Sequence, residues 1–375
     1  VSMDPMDQFQ KVVADPGAYA KKWKQASGGK VVGTFCSYTP IEILYAADAL
    51  SYRVLATGSD FTLADVHLQA YCCSLVRGIL NDVLAGRLEF LDGAVFPHTC
   101  DSMQRLSDIW RMNADFSFHE DLVLPVKLNT LPAQEYIADV MDAFRRNMEK
   151  HLDAVITEEK LHIAIRKTNR VRDMLKRLDR LRLEYDNMLD SSDLYTVAYA
   201  AMIMAPEEWL AVAETLLDAL QQKSSVTSKA SRKAIILSGS VCGSRNIHER
   251  IEKKGGMIVH DDMCTGARSF EGIVEEHNNP SAALARRYLQ RMNCPAKHGG
   301  LYSRGEHLVN TARIKKADGV IFLLLKFCDP HAFDYPYLKK MLDDAQIPSI
   351  LIEAENQFAL DEQIGNRVDA FMEML

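Results

Sequence analysis

The chain has 375 residues, more than one ordinary core can organise, so its length predicts at least two folded units. It is 47% hydrophobic and 25% charged, with a formal net charge of −7 and no Lys/Arg block. This balance excludes a disordered chain, argues against nucleic-acid or anionic-membrane partners, and leaves no stretch near the ~20 apolar residues of a bilayer span.

The opening stretch VSMDPMDQFQ lacks the basic and apolar regions of a secretory signal, which predicts a soluble cytoplasmic protein. KVVGTF (Lys30–Phe35) reads as a first strand, CSYTP as a loop and IEILYAADAL as a helix. YRVLAT is a second strand, and Asp65 to Leu84 has a helical period. GAVFP is a third strand ended by Pro97, a helix spans Asp101 to Arg111, and DLVLPVKL is a fourth strand weakened by Pro125. Strands alternating with helices predict parallel βαβ units.

The character then changes. YIADVMDAFRRNMEKHLDAVI and LHIAIRKTNRVRDMLKRLDRLRLEYDNML are helical and highly charged, with Val171, Met174, Leu175, Leu178 and Leu181 on one apolar stripe. QQKSSVTSKASRK (Gln221–Lys233) reads as a linker. A second α/β unit follows, with KAIILSGS, GMIVHD, GVIFLLL and PSILIEA as strands. Helices fill its gaps at Ile247–Lys253, Ala282–Gln290, Glu306–Lys316 and Tyr337–Ala345, and a last one runs near Leu360–Leu375. The expected fold class is α/β with parallel sheets: an N-terminal domain over 1–130, a helical connector over 131–225 and a C-terminal domain over 226–375.

Five of the eight cysteines follow strands directly: Cys36, Cys100, Cys242, Cys264 and Cys328. In doubly wound sheets, ligands bind beyond the carboxyl ends of the strands, so these thiols stand where chemistry is done. Inert buried thiols would instead sit inside strands or on helix stripes. No CxxC and no Cys/His run at zinc-finger spacing occurs, which argues against a zinc ribbon. Dispersed thiolates can still assemble an iron–sulfur cluster. SGSVCGSRN (Ser238–Asn246) matches neither GxGxxG nor the P-loop, and an ordinary strand-to-helix turn is the simpler reading. Asp261 and Asp262 read as caps of the next helix. Pro330 is expected to end the strand that delivers Cys328, leaving CDPHAFDYP as a loop.

FCSYTPIEILYAA, AVFPHTCDSMQRL, DDMCTGARSF, DGVIFLLLKFCDPHAFDYP and RVDAFMEML together resemble the 2-hydroxyacyl-CoA dehydratase / benzoyl-CoA reductase family, most nearly its smaller, beta-type subunit. The resemblance implies two flavodoxin-like domains with a [4Fe–4S] cluster between them. It places the three ligands on Cys73 of YCCSL, Cys100 of HTCDS and Cys328 of KFCDP. It implies a CoA-thioester substrate, a ketyl radical that eliminates water from a (R)-2-hydroxyacyl group, and two partners: a homologous larger, alpha-type subunit and an ATP-dependent iron–sulfur activator. The absence of a P-loop here agrees with an ATPase on another protein. It also implies Ser37 as a hydrogen-bond donor to the thioester carbonyl and Glu42 as a proton carrier if burial raises its pKa. A helix cap and a first-turn acid are the competing readings of those two residues. A benzoyl-CoA reductase-type subunit, a homodimeric double-cubane reductase and a non-catalytic scaffold are the alternatives in function.

Overall fold

The computed structural model describes residues 3–185, 188–222, 232–277, 279–291, 294–355 and 362–375. Two helices, α1 (Pro5–Ala14) and α2 (Pro16–Ser27), precede the first sheet. They form where Asp4 and Asp15 each accept a backbone N–H at the start of a helix whose first residue is proline. The first sheet holds β1 (Val31–Thr34), β2 (Leu50–Arg53), β3 (Gly93–Pro97) and β4 (Phe118–Leu122) in the order β2-β1-β3-β4. The second holds β5 (Lys233–Gly239), β6 (Gly256–Asp262), β7 (Gly319–Leu325) and β8 (Ser349–Ala354) in the order β6-β5-β7-β8. All six neighbouring pairs are parallel. Each sheet therefore repeats the 2-1-3-4 winding of a flavodoxin-like domain, with its switch point between its first and third strands. The expected α/β class with two such sheets is what the structure has.

The remaining helices follow in chain order: α3 (Ile41–Ala46), α4 (Ser74–Leu84), α5 (Asp101–Asn113), α6 (Leu131–Leu152), α7 (Glu158–Glu184), α8 (Ser191–Ala200), α9 (Pro206–Gln222), α10 (Asn246–Lys253), α11 (Pro280–Gln290), α12 (Ser303–Lys315), α13 (Asp329–Asp344) and α14 (Glu362–Met374). Phe35, Phe96 and Trp110 pack on one face of the first sheet, the two phenylalanine rings stacked with centroids 4.1 Å apart. The opposite face is covered by α3, α6, α7 and the crossing helix α11. Tyr195 and Tyr199 of α8 lie in a core that reaches from the first sheet to the second. The stripe on α7 behaves as its period demands: Leu175 and Leu178 are buried against α1, α8 and α9.

Three expectations change. Asp65–Leu84 is not one helix: only Ser74–Leu84 is α-helical, after a short turn at Ala64–Val66. The loop before it satisfies its amides on polar residues of α4, with Thr57 N donating to Asp82 at 2.7 Å and Leu63 N to Asn81 at 2.9 Å. The fourth strand lies earlier than DLVLPVKL, ending at Leu122 before Pro125 can interrupt it. The segment after Cys328 is a helix, not a loop. Pro330 sits in the first turn of α13, where its missing N–H costs nothing, and the helix continues through Pro336. The Ser-rich part of the linker lies outside the described residues.

Candidate functional site

Cys73, Cys100 and Cys328 share one local geometry. Each is the residue that opens a helix: Cys73 before α4, Cys100 before α5 and Cys328 before α13. The first two belong to the first sheet and the third to the second. Cys100 and Cys328 follow the third strand of their sheets, the side of each switch point away from the first strand. Phe327, between β7 and Cys328, takes φ 63°, a left-handed turn that is costly for a residue with a β-carbon. That turn carries the chain from the strand into α13.

Cys100 acts on Cys73, and both act on Cys328. Burial pushes the Cys73 thiol up to about 12, and Cys100 and Cys72 add to the rise. Burial also raises Cys100, with Asp101 and, from the other sheet, Asp329 adding to it. Cys328 is raised by burial and then by Cys73 and Cys100 together. Backbone amides of the helix starts oppose each rise: Val76 and Leu75 at Cys73, Met103 and Ser102 at Cys100, and His331 at Cys328. Among the described residues, no group of three or more His, Cys, Asp or Glu side chains forms a set that could hold a single metal ion.

A second group of thiols lies beside a cavity of about 90 Å³ beyond the ends of β1 and β2. Cys36, Ser37, Arg53 and Cys264 line it together with Thr168, Arg172, Arg287 and Tyr288. Arg53 donates to Cys264 Sγ at 3.6 Å, and Ser37 Oγ lies 4.0 Å from the same sulfur. A hydrogen bond from Cys36, followed by the charges of Arg53 and Arg268, holds Cys264 well below the usual thiol range. The same bond and burial raise Cys36. Ser37 is held from the other side: Arg291 donates to its hydroxyl at 3.0 Å and to its carbonyl at 2.6 Å.

Glu42 departs from its expected behaviour. It is 0% exposed on α3 and forms an ion pair with Arg172 of α7. Burial raises its pKa, but the charges of Arg172 and Arg287 and the Arg172 hydrogen bond outweigh that and leave it lowered. Glu42 is therefore a carboxylate at neutral pH, without the raised pKa that a proton donor needs. Asp261 and Asp262 do not cap a helix. Asp262 is buried between Arg268 and Arg304 and accepts from Ser238 at 2.7 Å, and Asp261 pairs with His248 at 2.8 Å. The arginines that build the cavity come from β2, α7 and α11, distant segments whose convergence no local pattern marks.

A family model described as 2-hydroxyglutaryl-CoA dehydratase, D-component, matches residues 36–375. The chain is similar to the (R)-phenyllactyl-CoA dehydratase beta subunit of Clostridium sporogenes, 26% identical over 369 residues and 98% of each chain. It is similar to the beta subunit of (R)-2-hydroxyglutaryl-CoA dehydratase of Acidaminococcus fermentans, 26% identical over 99% of this chain and 98% of that one. It is similar also to one of the benzoyl-CoA reductase subunits of Thauera aromatica, 26% identical over 94% of this chain and 93% of that one. The chain belongs to the 2-hydroxyglutaryl-CoA dehydratase D-component family and is an enzyme subunit of the 2-hydroxyacyl-CoA dehydratase or benzoyl-CoA reductase kind.

Proposed function

We propose that this chain is the iron–sulfur subunit of a 2-hydroxyacyl-CoA dehydratase, with Cys73, Cys100 and Cys328 as ligands of a [4Fe–4S] cluster between the two sheets. One observation carries the reading: three cysteines from both sheets open three helices, and the Cys328 thiol of one sheet is raised by Cys73 and Cys100 of the other. A four-iron cube spreads its thiolates over its corners, which suits thiols that interact without converging on one point. Helix N-termini favour negative charge, so α4, α5 and α13 would stabilise thiolates on an anionic cluster. When bound, such a cluster would supply the low-potential electron that reduces a thioester carbonyl, so that the neighbouring 2-hydroxyl group can leave as hydroxide. Ser37 accepts from Arg291, and its own O–H, 4.0 Å from the Cys264 sulfur, would turn to a thioester oxygen when one is bound. Glu42 holds Arg172 in the cavity wall and acts as a positioning residue. A larger, alpha-type subunit, an ATP-dependent iron–sulfur activator and a CoA thioester complete the system.

A benzoyl-CoA reductase-type subunit is the second reading, supported by a relative of that name as similar as the dehydratase subunits. Anaerobic purification tests the shared claim. The protein is expected to be brown, with a broad band near ~400 nm and about four irons per chain. About eight irons would favour a bridged pair of cubanes instead. A colourless, iron-free protein after anaerobic reconstitution would defeat the cluster in every form. Turnover of 2-hydroxyacyl-CoA rather than aromatic acyl-CoA, with the activator and any accompanying subunit present, separates dehydratase from reductase.

A further inference from the structure

The cavity beyond β1 is built with more buried positive charge than buried carboxylate. Arg53, Arg172 and Arg287 all line it. Arg172 is matched by Glu42, and Arg53 leans on the Cys264 sulfur. Arg287 has neither kind of partner: it donates to the Glu271 carbonyl at 2.9 Å and lies 5.5 Å from the Tyr288 ring centre. Among the described residues, no carboxylate lies within ion-pair distance of Arg53 or Arg287. Both side chains are deeply buried, at 6% and 3% exposure, and the Nε atom of each has no hydrogen-bond partner. Burial lowers the Arg287 pKa to about 9, and the charges of Arg172 and Arg291 contribute to that fall. Glu42, in contact with Arg172, acts on Arg287 only through space; a buried cation with no counter-charge in contact is costly, and an anionic ligand removes that cost.

The rest of the lining selects the kind of anion. Ile41, Val171, Leu175, Met202 and Phe270 give the cavity hydrocarbon walls. A free phosphate is usually cradled by clustered backbone amides, whereas a planar carboxylate on a short hydrocarbon body suits an arginine fork beside an apolar wall. The geometry points to a carboxylate subsite: Arg287, supported by Arg53, fixes the terminal carboxylate of a short acyl group or of a free organic acid, and the apolar wall takes its methylenes. For the acyl group, this rests on the acyl-thioester reading of the cavity. Arg287 is then the residue that separates dicarboxylic from monocarboxylic acyl groups.

The test is calorimetric binding to the full-length chain, purified anaerobically with any subunit that accompanies it. The ligands are glutaryl-CoA, pentanoyl-CoA and free glutarate. Glutaryl-CoA is expected to bind at least about tenfold more tightly than pentanoyl-CoA, as a desolvated charge pair allows. Arg287→Met should erase that preference, and Arg287→Lys should keep part of it. Equal affinity for the two thioesters in the wild type, or an unchanged preference in Arg287→Met, would overturn the subsite and leave the acyl-thioester reading standing. Binding of free glutarate but of neither thioester would support the subsite and overturn the thioester reading. Binding of none of the three would overturn the subsite, while iron content and the visible spectrum decide the cluster independently. Circular dichroism checks the fold of each variant. If Arg287→Met does not fold, Arg53→Gln replaces it, with a reduced preference expected and an unchanged one counting against the subsite.

Discussion

Cys328→Ser is expected to give a folded protein that has lost its cluster. The far-ultraviolet spectrum should match the wild type, because Cys328 packs at the edge of the core and serine opens helices well. Iron content after anaerobic reconstitution should fall sharply, and the band near ~400 nm should fade. Activity of the assembled enzyme should drop by more than the roughly 100-fold that loss of an outer-shell metal partner costs, because a direct ligand is removed. Cys73→Ser and Cys100→Ser should behave alike. Cys72→Ser is the informative control: Cys72 adjoins the site but does not open α4, so its iron content should stay near that of the wild type. Equal iron in wild type and Cys328→Ser would remove this residue from the ligand set.

Glu42→Gln is expected to be the most destabilising single change near the cavity. It strips the counter-charge from Arg172 while both groups remain buried. Breaking such a pair costs about 3–5 kcal/mol, whereas replacing both partners with apolar residues is often near neutral. The double variant Glu42→Leu/Arg172→Met should therefore recover most of the thermal stability that Glu42→Gln loses. Two independent surface losses would add instead. The pH dependence has a fixed sign. The folded carboxyl is lowered from its ordinary value of 4.5, so its stabilisation is complete above that value and is lost as pH falls through the lower, folded one. The gap between wild type and Glu42→Gln should be widest at neutral pH and close with acidification below 4.5. A gap that widened in acid would show Glu42 buried as a neutral acid, the state a proton donor requires.

The strands are legible in the sequence because parallel strands covered on both faces read as continuous apolar runs, and GVIFLLL is buried along its whole length. The position of Cys328 at the end of such a run is legible for the same reason. Its local structure is not. A proline after a strand reads as a terminator, yet the same residue is welcome in a helix's first turn, and only the turn at Phe327 decides between them. The break before α4 is hidden because its loop and its helix share one apolar period, while the bonds from Thr57 and Leu63 that hold the loop open are not periodic. Cys36 and Cys264 stand out as post-strand thiols, but their pairing depends on how the two sheets face each other. The charge state of Glu42 is out of reach for the same reason: first-turn position gives its burial no sign until Arg172 arrives from another helix.

The winding order has a consequence for how the protein is made. Cys73 and Cys100 leave the ribosome with the first sheet, and Cys328 emerges only after β5, β6 and β7 have been synthesised. With the proposed ligand set, a chain not yet translated through β7 can offer iron two of the three thiolates at most. Metallation is then confined to a chain translated past β7, and an interrupted translation product that ends before Cys328 cannot sequester a full cluster.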